Sequence, residues 1–160
     1  MKMIFEYGDD APDFCLPDAN GNMISLSGLR GRNVVLFFYP SENARRCTIQ
    51  AVDFTNLKKH FDVQNAVILG INSYSRESHL QFIRDNNLKV LLLTDADSEV
   101  QKKYGVWKPD KESGEDPLPT VRSTFLINSR GEIVKEWRGI ENVSGHAEEV
   151  LSEVKLINSR

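Results

Sequence analysis

Apolar residues recur along this chain in two alternating rhythms. Val34-Val35-Leu36-Phe37-Phe38-Tyr39 is an unbroken apolar, β-prone run, which is how a strand covered on both faces reads. The same character returns in Ala66-Val67-Ile68-Leu69-Gly70-Ile71, in Val90-Leu91-Leu92-Leu93 and in Thr124-Phe125-Leu126-Ile127. Between the first two runs, Ala51, Phe54, Leu57 and Phe61 fall at helical spacing, a stripe suited to lying on a sheet. Cys47 stands four residues before Ala51 and shares its face.

Two further helices are predicted around His79-Leu80-Gln81-Phe82-Ile83 and Val100-Gln101-Lys102-Lys103-Tyr104. The first is preceded by Ser75 and Ser78, the second by Asp97 and Ser98, all residue types that cap helices. Strands alternating with helices imply a sheet with parallel members. The turn Asn128-Ser129-Arg130-Gly131 joins the 124–127 run to Ile133-Val134-Lys135-Glu136-Trp137 at hairpin distance, so the sheet should end antiparallel. A last helix, roughly 146–157, carries Val150, Leu151, Val154 and Ile157 on one face. Near the start, an extended opening is followed by a hairpin turn at Asn20-Gly21-Asn22, and 108–120 reads as a charged surface loop with Pro and Gly.

The 160 residues have ordinary apolar and charged fractions and fit one α/β domain spanning 1–160, with a mixed sheet flanked by helices. A net charge of −3 with scattered cations gives no electrostatic reason to expect nucleic acid or an anionic membrane surface as partner. The opening residues lack the apolar core of a secretory signal, and no stretch approaches membrane-spanning length. Two cysteines, Cys15 and Cys47, lie far apart without spacing for a disulfide framework or zinc site, which places the chain in a reducing cytoplasm. His60, His79 and His146 sit on separate predicted helices without metal-ligand spacing and are assigned to solvated or capping roles. No metal or other cofactor is implied.

The chemistry concentrates in Pro40-Ser41-Glu42-Asn43-Ala44-Arg45-Arg46-Cys47-Thr48, which links a buried strand end to a helix start, where open α/β sheets place their active sites. A thiol in the first turn of a helix feels the partial positive charge of unpaired amides, and Arg45 and Arg46 adjoin it. Both effects favour the thiolate; free cysteine titrates near about 8.5 and sites of this kind bring it to about 3.5–7.5. On the residues alone a second reading stands beside this one: Cys47 is a small apolar residue on a buried stripe, as most free cysteines are. Arg122, taken alone, reads as an exposed charge at a strand end.

The opening Ala11-Pro12-Asp13-Phe14-Cys15-Leu16-Pro17-Asp18, Ser25-Leu26-Ser27 with Arg30-Gly31, and Phe37-Phe38-Tyr39-Pro40 together resemble the bacterioferritin-comigratory type of peroxiredoxin. Ser78-His79 with Phe82, Leu91-Leu92-Leu93 running into Asp95, Tyr104-Gly105-Val106 and Arg122-Ser123-Thr124-Phe125-Leu126-Ile127 extend the resemblance over nearly the whole chain. Pro40 seven residues before Cys47, with Arg122 opening a late strand, is its most distinctive combination. The resemblance implies a thioredoxin-like fold and a thiol peroxidase acting on hydrogen peroxide and organic hydroperoxides. In it the Cys47 thiolate attacks a peroxide oxygen and becomes a sulfenic acid, Arg122 polarises the peroxide, Pro40 shields the thiol from water, and Gln50 stands where the family carries Glu or Gln.

Three departures refine the expectation. Ala44 occupies the position of the Thr whose hydroxyl hydrogen-bonds the peroxide in the family; Arg45-Arg46 replace the usual Pro-Gly; and Val52 stands five residues after Cys47, where many members carry the resolving cysteine. A local disulfide cannot form. Cys15 is read as a buried bystander rather than a resolving thiol, which leaves a one-cysteine cycle completed by a thioredoxin-like or low-molecular-weight thiol reductant, in a monomer or weak homodimer. Ala44 keeps open the alternative of a peroxiredoxin-fold binding or chaperone-like protein with weak or lost peroxidase activity. A thioredoxin-like disulfide oxidoreductase is set aside, because Cys47 is followed by Thr48-Ile49-Gln50 and not by a Cys-x-x-Cys pair.

Overall fold

The computed structural model describes residues 5–109 and 119–160. Seven strands and five helices follow one another as β1 (Cys15–Pro17), β2 (Met23–Ser25), β3 (Asn33–Phe38), α1 (Arg45–Asn56), α2 (Lys58–Val63), β4 (Ala66–Asn72), α3 (Arg76–Asn86), β5 (Leu91–Thr94), α4 (Glu99–Lys103), β6 (Ser123–Ile127), β7 (Ile133–Arg138) and α5 (His146–Asn158). A 3-10 turn at Ser27–Leu29 follows β2.

The main sheet has five strands in the order β5-β4-β3-β6-β7. β3, β4 and β5 are parallel, while β6 runs antiparallel to β3 and β7 antiparallel to β6. This is the expected mixed sheet with an antiparallel end. β1 and β2 form the small hairpin around the 20–22 turn. The expected second hairpin closes through Gly131, at φ +82°, a left-handed conformation that glycine adopts without a Cβ penalty.

β3 is buried at every position, and the alternation of its side chains explains the continuous apolar run. Val35, Phe37 and Tyr39 join a core with Cys47, Ala51, Phe54, Phe61, Phe82 and Val150. Val34, Leu36 and Phe38 join a second core with Phe14, Leu26, Tyr104 and Phe125. The stripe predicted across 51–61 is present but spans two helices. α1 ends at Leu57, whose N–H reaches both the Asp53 and Phe54 carbonyls at 3.2 Å, and α2 restarts at Lys58. Phe54 and Phe61 still meet across the break, with ring centroids 6.0 Å apart.

Ser75 caps α3 as expected, its hydroxyl accepting the Ser78 N–H at 3.1 Å. α4 is capped differently. Ser98 takes a left-handed conformation and makes no side-chain cap bond. The buried Asp95 carboxylate instead accepts the N–H groups of Val100 at 3.3 Å and Gln101 at 3.0 Å, and Asp97 takes that of Glu99 at 3.1 Å. Most of the expected 108–120 loop lies outside the described residues; at its flanks Trp107 and Thr120 pair as an isolated antiparallel bridge.

Gly70 is the one break in the apolar run of β4, and its register explains it. It pairs with Phe37 on one side and Leu92 on the other. A Cβ here would lie 2.7 Å from the tip of the Phe37 ring and 2.9 Å from a Leu92 methyl. Overpacking of this kind costs about 1–3 kcal/mol. Gly70→Ala is therefore expected to lower the unfolding free energy by that amount, read as a lower urea midpoint at an unchanged slope of the transition; an unshifted midpoint would show that the ring yields freely.

Candidate active site

The segment 40–44 carries the chain from β3 to α1 along the carboxyl ends of the parallel strands. Ala44 is the N-cap of α1, extended at φ −88° and ψ 140°, and offers no side-chain cap. The first bond inside the helix runs from the Thr48 N–H to the Ala44 carbonyl at 3.2 Å, so the preceding amides have no intrahelical acceptor. Cys47 lies in this first turn, fully buried. Its side chain faces the sheet, as the spacing to Ala51 predicts.

Arg122 precedes β6 directly and is buried at 4% exposure, where the residue alone would have been read as an exposed charge. Its backbone is fixed by the Ile140 N–H, which donates to the Arg122 carbonyl at 2.9 Å. The guanidinium then bridges two side chains of α1: Nη2 donates to Cys47 Sγ at 3.1 Å and Nη1 to Gln50 Oε1 at 2.7 Å. Cys47 and Gln50 are three residues apart on one helix face, the spacing one planar guanidinium can span. An N–H aimed at the sulfur, with amides of the first helical turn behind it, stabilises negative charge on Cys47. Arg122 Nε and Gln50 Nε2 are buried without a hydrogen-bond partner.

The structure thus brings together Cys47, Arg122 and Gln50, with Pro40 buried at the end of β3. Ala44 is exposed and Arg45 is exposed beside it. Arg46 points away from the sulfur, donating to the Glu141 carbonyl at 2.6 Å. Neither of the two arginines that adjoin Cys47 in sequence is therefore the one bonded to its sulfur.

Two expectations are corrected. Cys15 is exposed, not buried. It lies on β1 between Phe14 and Leu16, which pack toward the second core, and the period of the strand turns Cys15 outward. Of the histidines, only His60 is exposed; His79 and His146 are buried at 0% and 4% exposure. Their partners lie on other elements and so leave no trace in the local pattern. His146 Nε2 pairs with Thr124 Oγ1 at 2.8 Å, and burial pushes the imidazole below its ordinary value, with the nearby Arg122 charge adding to the effect and Glu149 opposing it.

His79 belongs to a cluster that sequence reasoning missed. Its Nδ1 lies 2.8 Å from Glu42 Oε2, and the same carboxylate accepts the hydroxyls of Tyr39 and Ser78, each at 2.7 Å. Burial, and then the Glu42 carboxylate, raise the Tyr39 phenol well above its ordinary value. The Ser78-His79 pair within the family resemblance is the signal that points to it. Among the described residues no group of three or more His, Cys, Asp or Glu side chains is placed to hold a metal ion, and no helix is long and apolar enough to cross a membrane.

Comparison with known proteins agrees with this geometry. Residues 7–136 match the AhpC/TSA family. The chain is 37% identical to peroxiredoxin Bcp of Bacillus subtilis over 158 residues, covering 99% of this chain and 100% of that protein. It is 39% identical over 146 residues to a putative peroxiredoxin bcp of Helicobacter pylori, covering 91% and 95% of the two chains. The fold superposes with a TM-score of 0.86 on Xanthomonas campestris bacterioferritin comigratory protein, solved to explain its alkyl peroxide reduction activity, at 30% identity and covering 98% and 99% of the chains. Xanthomonas campestris peroxiredoxin Q superposes equally well, with a TM-score of 0.86 at 31% identity and 98% of each chain covered. A buried thiol at a helix start, a guanidinium bonded to its sulfur and this thioredoxin-like mixed sheet therefore accompany a match along the whole chain, which belongs to the AhpC/TSA family and, within it, to the bacterioferritin-comigratory peroxiredoxins, a group of thiol peroxidases.

Proposed function

We propose that the chain reduces hydrogen peroxide and organic hydroperoxides at Cys47, in a one-cysteine cycle completed by an external thiol. The observation that carries the reading is the buried contact of 3.1 Å between Arg122 Nη2 and Cys47 Sγ. A cation fixed on a buried sulfur favours the thiolate, and the thiolate is the nucleophile.

The Cys47 thiolate attacks one peroxide oxygen. A sulfur–oxygen bond forms, the oxygen–oxygen bond breaks, and the leaving oxygen takes a proton to depart as water or an alcohol. Cys47 is left as a sulfenic acid. Arg122 sits where negative charge passes from sulfur to the leaving oxygen, and its unpartnered Nε supplies a further donor. Gln50 holds the guanidinium in register through Nη1, and Pro40, buried at the strand end, limits water at the sulfur. A thioredoxin-like or low-molecular-weight thiol then attacks the sulfenic sulfur, releasing water and forming a mixed disulfide that a second thiol reduces. With Val52 in place of a nearby thiol and Cys15 exposed on the β1 hairpin, an external reductant is the simpler partner. Two unpaired thiols suit a reducing compartment such as the cytoplasm.

Cys47→Ser is expected to abolish peroxide consumption. Arg122→Gln should slow oxidation of Cys47 by roughly a hundred- to a thousandfold, the scale set by removing one fixed donor from a charge-developing centre; stopped-flow mixing with hydrogen peroxide measures both, and wild-type oxidation no faster than that of free cysteine would sink the proposal.

Cys15→Ser should keep full turnover with a small-molecule thiol. Mass spectrometry of peroxide-treated protein is expected to find oxidised Cys47 with no Cys15–Cys47 disulfide, and such a disulfide would replace the one-cysteine cycle by a two-cysteine one.

Ala44→Thr restores a hydroxyl at the N-cap, where it can cap α1 and donate to a bound peroxide. A hydrogen bond to developing charge is worth about 1.5–3 kcal/mol, so oxidation should accelerate by roughly ten- to a hundredfold. A rate unchanged by this substitution in a slow wild-type protein would favour the binding or chaperone-like alternative.

A further inference from the structure

The Glu42 carboxyl group is buried on the very segment that precedes Cys47, and nothing in the peroxide chemistry uses it. Its side chain is 2% exposed and that of His79 is 0% exposed. Three donors converge on it, Tyr39 from the end of β3 and Ser78 and His79 from α3. On its other side the imidazole reaches β5, where Nε2 lies 3.2 Å from the Leu93 carbonyl. A carbonyl only accepts, so Nε2 carries a hydrogen. A single further proton then lies between Nδ1 and Oε2, and wherever it resides the pair sums to zero charge.

That neutrality matters because of the sulfur in the same core. Tyr39, whose hydroxyl bonds Glu42 at 2.7 Å, packs in one buried cluster with Cys47, and its phenol feels the charge of both groups. The other groups around the sulfur are Arg122, just before β6, and Gln50 from α1. Tyr74 also acts on the Tyr39 phenol, and His146 of α5 feels Arg122. Arg45 is exposed and Arg46 is directed to Glu141. Of these, Arg122 is the cation bonded to the sulfur, so an unpaired Glu42 would oppose it. The segment 40–44 has few other anchors, chiefly Ser41 Oγ, which accepts the Asn43 N–H at 3.0 Å and the Tyr74 hydroxyl at 3.3 Å.

We propose that Glu42 and His79 are positioning residues: a net-neutral buried clasp that fastens the 40–44 segment to α3 and β5 beside Cys47 without setting an uncompensated negative charge against its thiolate. The inference rests on Cys47 being the reacting thiol. Glu42 supplies the attachment and His79 cancels the charge that the attachment brings.

The test uses the full chain with Cys15→Ser, so that Cys47 is its only thiol, and follows thiolate ultraviolet absorbance against pH alongside the rate of oxidation by hydrogen peroxide. His79→Gln should move the thiolate midpoint upward by about one pH unit, leaving roughly tenfold less thiolate on the acid side, the direction an unpaired carboxylate in the same core imposes. Glu42→Gln and the double variant Glu42→Gln/His79→Gln should both keep the parent midpoint, since neither leaves a net charge. An unmoved midpoint in His79→Gln overturns the proposal. So does a double variant that stays displaced with His79→Gln, because damage to packing alone would persist after the charge is gone. Should His79→Gln not fold, the near-isosteric Glu42→Gln decides, and a midpoint displaced by a unit in that variant overturns the clasp. A parent protein that titrates as expected yet ignores peroxide would instead sink the peroxidase reading and leave the charge pairing standing.

Discussion

The structure turns on one guanidinium taken out of water and set against one sulfur. Burying a cation is costly unless acceptors meet it in fixed positions, and Arg122 finds two of them on a single face of α1, Cys47 and Gln50. For both to be in place, α1 must begin where it does, its apolar stripe must lie flat on the sheet, and β6 must run antiparallel beside β3 so that its first residues reach the same end as the carboxyl ends of β3 and β4. The mixed sheet is thus the geometric condition for the contact, and the contact gives the otherwise bland start of α1 its chemistry.

Much of this frame was legible because it rests on local periodicity. The run through Phe37 and Phe38 announced a strand buried on both faces, the spacing from Cys47 to Ala51 announced which way the thiol would point, and the Asn128–Gly131 turn announced the antiparallel end. What could not be read are relations between residues far apart in the chain. Arg122 is buried because of partners 75 and 72 positions earlier, and no window around Arg122 contains them. His79 looked like a surface histidine because its acceptors, Glu42 and the Leu93 carbonyl, lie on other elements. Cys15 departs from expectation for a more local reason: composition says a free cysteine is usually inside, but the two-residue period between Phe14 and Leu16 decides, and it points outward.

The electrostatic layout also differs from what adjacency implies. Arg45 and Arg46 touch Cys47 in sequence, yet one faces solvent and the other is committed to the Glu141 carbonyl. The charge that matters arrives from across the sheet. Position on a helix end and adjacent charge occur in many chains; a buried long-range guanidinium bonded to the sulfur is what sets this thiol apart.

The missing side chain at Gly70 has a reach beyond its own strand. Because nothing projects from it, the Phe37 ring lies down over β4 and offers its face to Phe54, with centroids 5.0 Å apart and planes 26° from parallel. Phe54 is on α1, two turns beyond Cys47. The absent Cβ therefore leaves room for the ring that α1 rests on, so the height of the helix above the sheet is set in part at a strand position that contributes no side chain. A residue with no functional group of its own thus shapes the packing of α1, whose seat on the sheet is held by aromatic stacking in the core as well as by the polar groups at its start.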